Sequence, residues 1–223
     1  RPPRSTPLYS SAASDVYKRQ DIDDKDHIYL ADNMNDRIQV FSLDGEFIRT
    51  WGKEGHSEGE FDKPWGIKVY GDKVLVADWR NGRVQIFDKE GNFLAKFGDS
   101  NNEEENLFRP SDVAIDKNNY YYVSDWGKQR IQIYDNNFKF CGFLRGEATL
   151  TEWAKEYLDA NNDERLARES FVPLIKVDEV EPHEESARIE SFFWDPTSVV
   201  VDETQNLLVL DSNRNRVQIY KIG

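Results

Sequence analysis

Four aspartates in this chain, Asp32, Asp78, Asp125 and Asp211, are each followed by an arginine and then a glutamine at constant offsets: Arg37 and Gln39, Arg83 and Gln85, Arg130 and Gln132, Arg216 and Gln218. At that spacing a carboxylate and a guanidinium can meet across a tight connection and form a charge-assisted pair. They could instead ring a ligand site with charge. A group present in every copy is more economically a building part, so chemistry particular to this protein belongs where the copies differ.

They differ directly after each aspartate, where the chain reads Asn33-Met34-Asn35, Trp79-Arg80-Asn81, Trp126-Gly127-Lys128 and Ser212-Asn213-Arg214. Trp79 and Trp126 hold the same position in neighbouring copies and could form an aromatic wall, which suits ligand or partner contact as well as covering an edge. Arg80 and Lys128 beside them suit an acidic group on a ligand, and Trp65 and Met34 complete the candidate binding set. Asp112 and Asp195 flank other strand starts and could donate oxygen to a hard cation such as Ca2+. Of His27, His56 and His183, none recurs at an equivalent position, and His56 and His183 read as solvated loop residues. No phosphate loop or recognisable triad is present. The single cysteine, Cys141, rules out an internal disulfide framework and a thiolate zinc knuckle, and reads as a strand filler.

The elements that must position these groups follow from the period. The repeated aspartates lie 46, 47 and 86 residues apart, the last step being long because of an insertion. Such a period suits one four-stranded blade. Alternation of apolar and polar residues gives a first strand after a proline (Pro64 to Val69, Pro110 to Ile115, Pro196 to Val201) and a second ending at the repeated Asp. The third strand is the Arg-x-Gln run, and a fourth comes after a Gly turn, as in Phe47 to Trp51 and Phe93 to Phe97. One small twisted sheet cannot bury both faces, whereas radially stacked copies can, so the sequence predicts an all-β propeller. Antiparallel order alone puts the connection between second and third strands on the same face as the connection between blades. That face therefore carries Trp79, Trp126 and the loops around 53 to 63, 99 to 109 and 145 to 195.

The phrase Ala/Ser-Asp-x-x-Asn-x-Arg-Val/Ile-Gln-Val/Ile-Phe, with its Gly-x-Phe and Trp/Phe-Gly companions, resembles the NHL repeat over residues 21 to 144 and 192 to 222. Departures are Gln129 before Arg130, Tyr70 where other units carry Asp116 or Asp202, and Ser111-Asp112 in place of Trp65-Gly66. The resemblance implies four-stranded blades, commonly six, of which about four are visible here. It implies a binding or interaction module whose ligand or protein partner sits on the loop face. Related propellers supply two alternatives. One is a metal-dependent lyase or lactonase-like hydrolase with Ca2+ or Zn2+ at the channel mouth, held by residues such as Asp112 and Asp195. The other is an RNA-binding domain of the kind found in some animal NHL proteins.

Charge bears on the last of these. The formal net charge is -13, and it becomes -16 without residues 1 to 20. That balance repels a polyanion at long range, and Arg80, Arg83, Lys128 and Arg130 do not make a basic face. No run of about 18 apolar residues exists to span a membrane. Residues 10 to 20 resemble the translation of a sequencing adapter, so residues 1 to 20 are expected to be a non-native, disordered leader and 21 to 223 a partial propeller with an N-terminal signal region missing. The insertion at about 145 to 191 is acidic, with 13 Asp or Glu against 5 Lys or Arg from Glu147 to Glu190. Thr149-Leu-Thr-Glu152 has the form of a capping box ahead of a helix at about 150 to 160, with a second helical piece at 163 to 169. Trp153, Tyr157 and Leu158 would form a stripe that packs on something, and Pro173 and Pro182 would break the rest of the insertion into extended strand or loop.

Overall fold

The computed structural model describes residues 17–149, 152–170 and 181–222. Fifteen strands form four antiparallel sheets. The first contains β1 (Tyr17–Ile22), β2 (His27–Asp32), β3 (Arg37–Ser42) and β4 (Phe47–Trp51), and the second β5 (Pro64–Tyr70), β6 (Lys73–Asp78), β7 (Arg83–Asp88) and β8 (Phe93–Phe97). The third contains β9 (Pro110–Ile115), β10 (Tyr121–Asp125), β11 (Arg130–Tyr134) and β12 (Phe140–Leu144). The fourth has three strands, β13 (Pro196–Val201), β14 (Asn206–Asp211) and β15 (Arg216–Lys221). Between β12 and β13 lie α1 (Glu152–Ala160), α2 (Asn162–Glu169) and α3 (Pro182–Arg188).

Within each sheet the strands pair in chain order, and the first strands β1, β5, β9 and β13 contact one another in series. This is the arrangement of propeller blades around an axis. The two faces of each blade follow from the period of two along a strand. Tyr29, Ala31, Ile38 and Val40 of the first blade pack on Val69, Val74, Val76 and Phe87 of the second. Leu75, Val84 and Ile86 then meet Val113, Tyr121 and Val123 of the third, and Tyr122 and Ile131 meet Val199, Leu207 and Val209 of the fourth. Each interface is thus an apolar layer shared by two sheets, and no blade has a core of its own.

The hairpin turns are built by side chains. Asp23 accepts the backbone N–H groups of Lys25 and His27 and the Tyr29 hydroxyl, and Asp116 does the same for Asn118, Tyr120 and Tyr122. Blade two lacks this aspartate. Its Tyr70 pairs directly with Lys73 across a two-residue turn whose Gly71 has φ +56°, so the departure at Tyr70 is a shorter hairpin.

Two expectations are corrected, at residues 17–20 and at Pro182. Residues 17–20 belong to β1, with Gln20 opposite Leu30, so the first strand begins inside the stretch assigned to a disordered leader. Trp153 and Tyr157 stack on each other at 6.0 Å and are 74% and 44% exposed among the described residues. Pro182 opens α3, so the chain after it is helical and not extended strand or loop, because the first turn has no use for its missing N–H. Pro173 and the Leu150-Thr151 part of the capping box lie outside the described residues.

Candidate functional site

The repeated Asp-Arg-Gln sets build the scaffold of the loop face. Asp78, fully buried, accepts Arg83 Nε at 2.8 Å, Asn81 Nδ2 at 2.9 Å and Gln85 Nε2 at 3.1 Å. The same pairs close at 2.9 Å for Asp32 and Arg37, 2.7 Å for Asp211 and Arg216, and 3.7 Å for Asp125 and Arg130. The arginines and glutamines also fasten the loop arriving from the preceding blade. Arg83 donates to the carbonyls of His56, Ser57 and Glu60, Gln132 Nε2 donates to the Asn106 carbonyl at 2.8 Å, and Arg216 donates to those of Glu190 and Phe192. Burial pushes the carboxyls of Asp78 and Asp125 upward, that of Asp125 to about 6, against the pull of the groups donating to them.

In Asp78, Asp125 and Asp211 the second oxygen holds the loop that arrives from the preceding blade. Asp78 accepts the Asp62 N–H, Asp125 the Phe108 N–H at 2.9 Å and Asp211 the Trp194 N–H at 2.7 Å. Each of these residues precedes one held in the left-handed region directly before a first-strand proline: Lys63 (φ +59°), Arg109 (φ +60°) and Asp195 (φ +59°). Such geometry is costly for a residue with a Cβ and persists only where its surroundings over-determine it. Here the repeated carboxylate supplies that constraint and projects the variable side chains onto the loop face.

What gathers there is a run of rings. Trp65 and Trp79 lie 5.3 Å apart and Trp79 and Trp126 6.4 Å, so the aromatic wall expected from the repeat forms and extends to Trp65. It continues through His183 of α3, 6.4 Å from Trp126, to Trp194, 5.9 Å further. Arg109 lies over Trp79 at 5.2 Å, Phe108 at 5.1 Å and Trp126 at 5.9 Å, and Arg80 lies over Trp79 at 5.9 Å. Met34, at the matching turn of blade one, is exposed.

Several candidates are placed differently from the sequence expectation. Lys128 turns toward the loop from blade two, where its Nζ donates to the carbonyls of Glu103 and Asn106 and to Asn106 Oδ1, and burial lowers its pKa. Its place beside the tryptophans is taken by Arg109. His183 lies in helix α3 and not in a loop: it sits between Trp126 and Trp194, its side chain 45% exposed, with Nε2 3.3 Å from Asp195. His56 contacts Asn81 Oδ1 at 2.6 Å. Asp112 Oδ2 is used by the Ser198 hydroxyl at 2.8 Å and the Val199 N–H at 3.1 Å, tying blade three to blade four. Asp195 accepts Gln129 Nε2 and Asn213 Nδ2, and its N–H donates to Gln129 Oε1, so the unusual Gln129 is an inter-blade clamp. Among the described residues no three His, Cys, Asp or Glu side chains converge. Phe108, Arg109 and Trp194 were missed in the sequence. Their signal is position alone, one or two residues ahead of a first-strand proline.

The fold and this face define a β-propeller with a ring-lined loop surface. Residues 57–147 match the family model described as a 6-bladed beta-propeller and residues 193–220 match the NHL repeat, so the fold is a β-propeller with NHL-type blades. No curated protein sequence matches it. Among solved structures it resembles a protein of unknown function from Bacteroides thetaiotaomicron, with TM-score 0.58 and 13% identity over 91% of this chain and 46% of that one. It also resembles a catalytically inactive virginiamycin B lyase from Staphylococcus aureus with quinupristin, with TM-score 0.52 and 9% identity over 91% of this chain and 54% of that one. Hydrazine synthase from Kuenenia stuttgartiensis aligns at TM-score 0.52 and 9% identity over 93% and 49%. The chain spans about half the length of these structures, and at such identities the likeness is one of fold. Among the described residues no helix is long and apolar enough to cross a membrane.

Proposed function

We propose that the protein is a binding module whose loop face takes a ring-bearing ligand, either a small molecule or a side chain of a protein partner. The observation that carries this reading is the series Trp65, Trp79, Trp126, His183 and Trp194 on one face, with Arg109 and Arg80 over its rings. All five rings are half-buried, so each is fixed by its neighbours while leaving surface available. Rigid aromatic surface with a nearby cation gives affinity at small entropic cost. RNA is disfavoured by the net charge of -13 and because Arg83, Lys128 and Arg130 are committed to the scaffold. A lyase or hydrolase with a hard cation would need Asp112 and Asp195 to give up their present partners.

Thermal melts of the wild type and of Trp79→Ala/Trp126→Ala test the proposal against a panel of aryl and saccharide ligands, Ca2+, Zn2+ and a short RNA. A ligand that binds the native state raises the melting temperature. Stabilisation by ring compounds in the wild type alone supports the binding face. Stabilisation by a divalent cation that disappears in Asp195→Asn, with no response to ring compounds, overturns it in favour of the metal-dependent enzyme.

A further inference from the structure

We infer that the ligand is a ring compound carrying a carboxylate, with Arg109 as the residue that receives the carboxylate; this rests on the loop-face reading above. Arg109 is held tightly. Its predecessor Phe108 is pinned on both sides, its N–H donating to Asp125 Oδ1 and its carbonyl accepting the Gly127 N–H, both at 2.9 Å, and Pro110 fixes the chain on the other side. The side chain is exposed, and its guanidinium lies within 6 Å of three ring centroids, those of Trp79, Phe108 and Trp126. Ring faces hold a cation through their quadrupole without consuming its N–H donors. Among the described residues no carboxylate lies within ion-pair distance of Arg109, and the contacts of its guanidinium are those rings.

Neighbouring cations are occupied. Arg80 faces Asp62 at 3.7 Å, Arg214 donates to the carbonyls of Ser186 and Ile189 while lying over Trp194, and Lys128 is enclosed by Asn106. In a chain with 42 acidic and 29 basic residues, a pre-positioned guanidinium with its planar donors left over is a receptor for a planar anion. The surrounding negative charge disfavours a polyanion, whereas one carboxylate feels Arg109 at contact range and the rest of the molecule only through screening. The ring of the ligand would lie along Trp79, Trp126 and Trp65. Either an aryl ring or the apolar face of a uronic sugar satisfies that contact, and the two sources are separable by experiment.

Tryptophan-fluorescence titration with two matched pairs provides the test: hydrocinnamate against hydrocinnamide, and digalacturonate against its methyl ester. The acid of one pair should bind about tenfold or more tightly than its neutral partner, the usual worth of a charge-assisted pair, and which pair responds tells aryl from sugar. Arg109→Gln should erase the preference, bringing the affinity for the acid down to that for its neutral partner, and Arg109→Lys should restore part of it. Arg80→Gln should keep the preference. Equal binding of acid and neutral forms, a preference that survives Arg109→Gln, or no binding of any of the four probes would overturn the inference. Equal binding that is lost in Trp79→Ala would do so while leaving the ring-binding face intact.

Discussion

At the scale of single residues, the repeated aspartates link stability to site geometry, because one oxygen ties the blade and the other holds the backbone ahead of the variable residue. Asp78→Ala removes the partner of Arg83, whose side chain is only 4% exposed, and strands a buried charge. Chemical denaturation should register a loss of about 3–5 kcal/mol. At Asp125 the arginine stands off at 3.7 Å, and burial, which raises the Asp78 carboxyl as well, lifts this carboxyl to about 6. Between about pH 4 and pH 6 the folded state therefore holds a proton that the unfolded chain, with a carboxyl near 3.9, has released. The associated stability is full below pH 4 and lost as pH rises through 6, on the order of 3 kcal/mol. Asp23, Asp88 and Asp202, whose pKa values are lowered, act in the opposite sense and at lower pH, where their contribution is lost as they protonate. Asp125→Asn should flatten the decline between pH 4 and 6, as measured by denaturation at both ends of that window. A slope unchanged by the substitution would show that Asp125 titrates normally.

At the scale of elements, blades touch through backbone as well as side chains. A Cβ added to Gly66 in β5 would come 2.6 Å from the Asp112 Cα and the Ser111 carbonyl of β9, so Gly66→Ala should cost about 1–3 kcal/mol in a denaturation experiment. Helix α3 is clipped to the face by His183 between Trp126 and Trp194, by the Arg145–Glu185 ion pair and by Arg214 donating to its carbonyls. His183→Ala should speed amide exchange in residues 183–188 and leave β9–β11 unchanged. The strands were legible from period-two alternation and from prolines and glycines that mark their ends, and the Asp–Arg pairs from their spacing. Arg109, Phe108 and Trp194 were not, since their role comes from the left-handed backbone between blades, which no local pattern announces. Lys128 and His183 were misread for a related reason: what surrounds them comes from loops about 22 and 57 residues away in sequence.

At the scale of the whole molecule, the described residues form an arc of four blades, whereas the matching family has six. On the fourth blade Leu210, Val217 and Ile219 are exposed, while their counterparts in blade two, Ala77, Val84 and Ile86, are buried. A cavity of about 540 Å³ runs along β15, where other blades carry a fourth strand, and is lined by Val217, Gln218 and Ile219 against Glu147 and Thr149. An exposed edge beside an apolar face favours association. This polypeptide should therefore self-associate as concentration rises, and Val217→Lys/Ile219→Lys should suppress it in sedimentation experiments. The central claim concerns the opposite kind of surface, the ring-lined loop face, and the chain's six tryptophans report on it separately. Indole N–H chemical shifts monitored during titration with the aryl and uronate probes test it most directly. Shifts at Trp65, Trp79, Trp126 and Trp194 with Trp51 and Trp153 unmoved are the predicted result; shifts confined to Trp51 or Trp153 would contradict it.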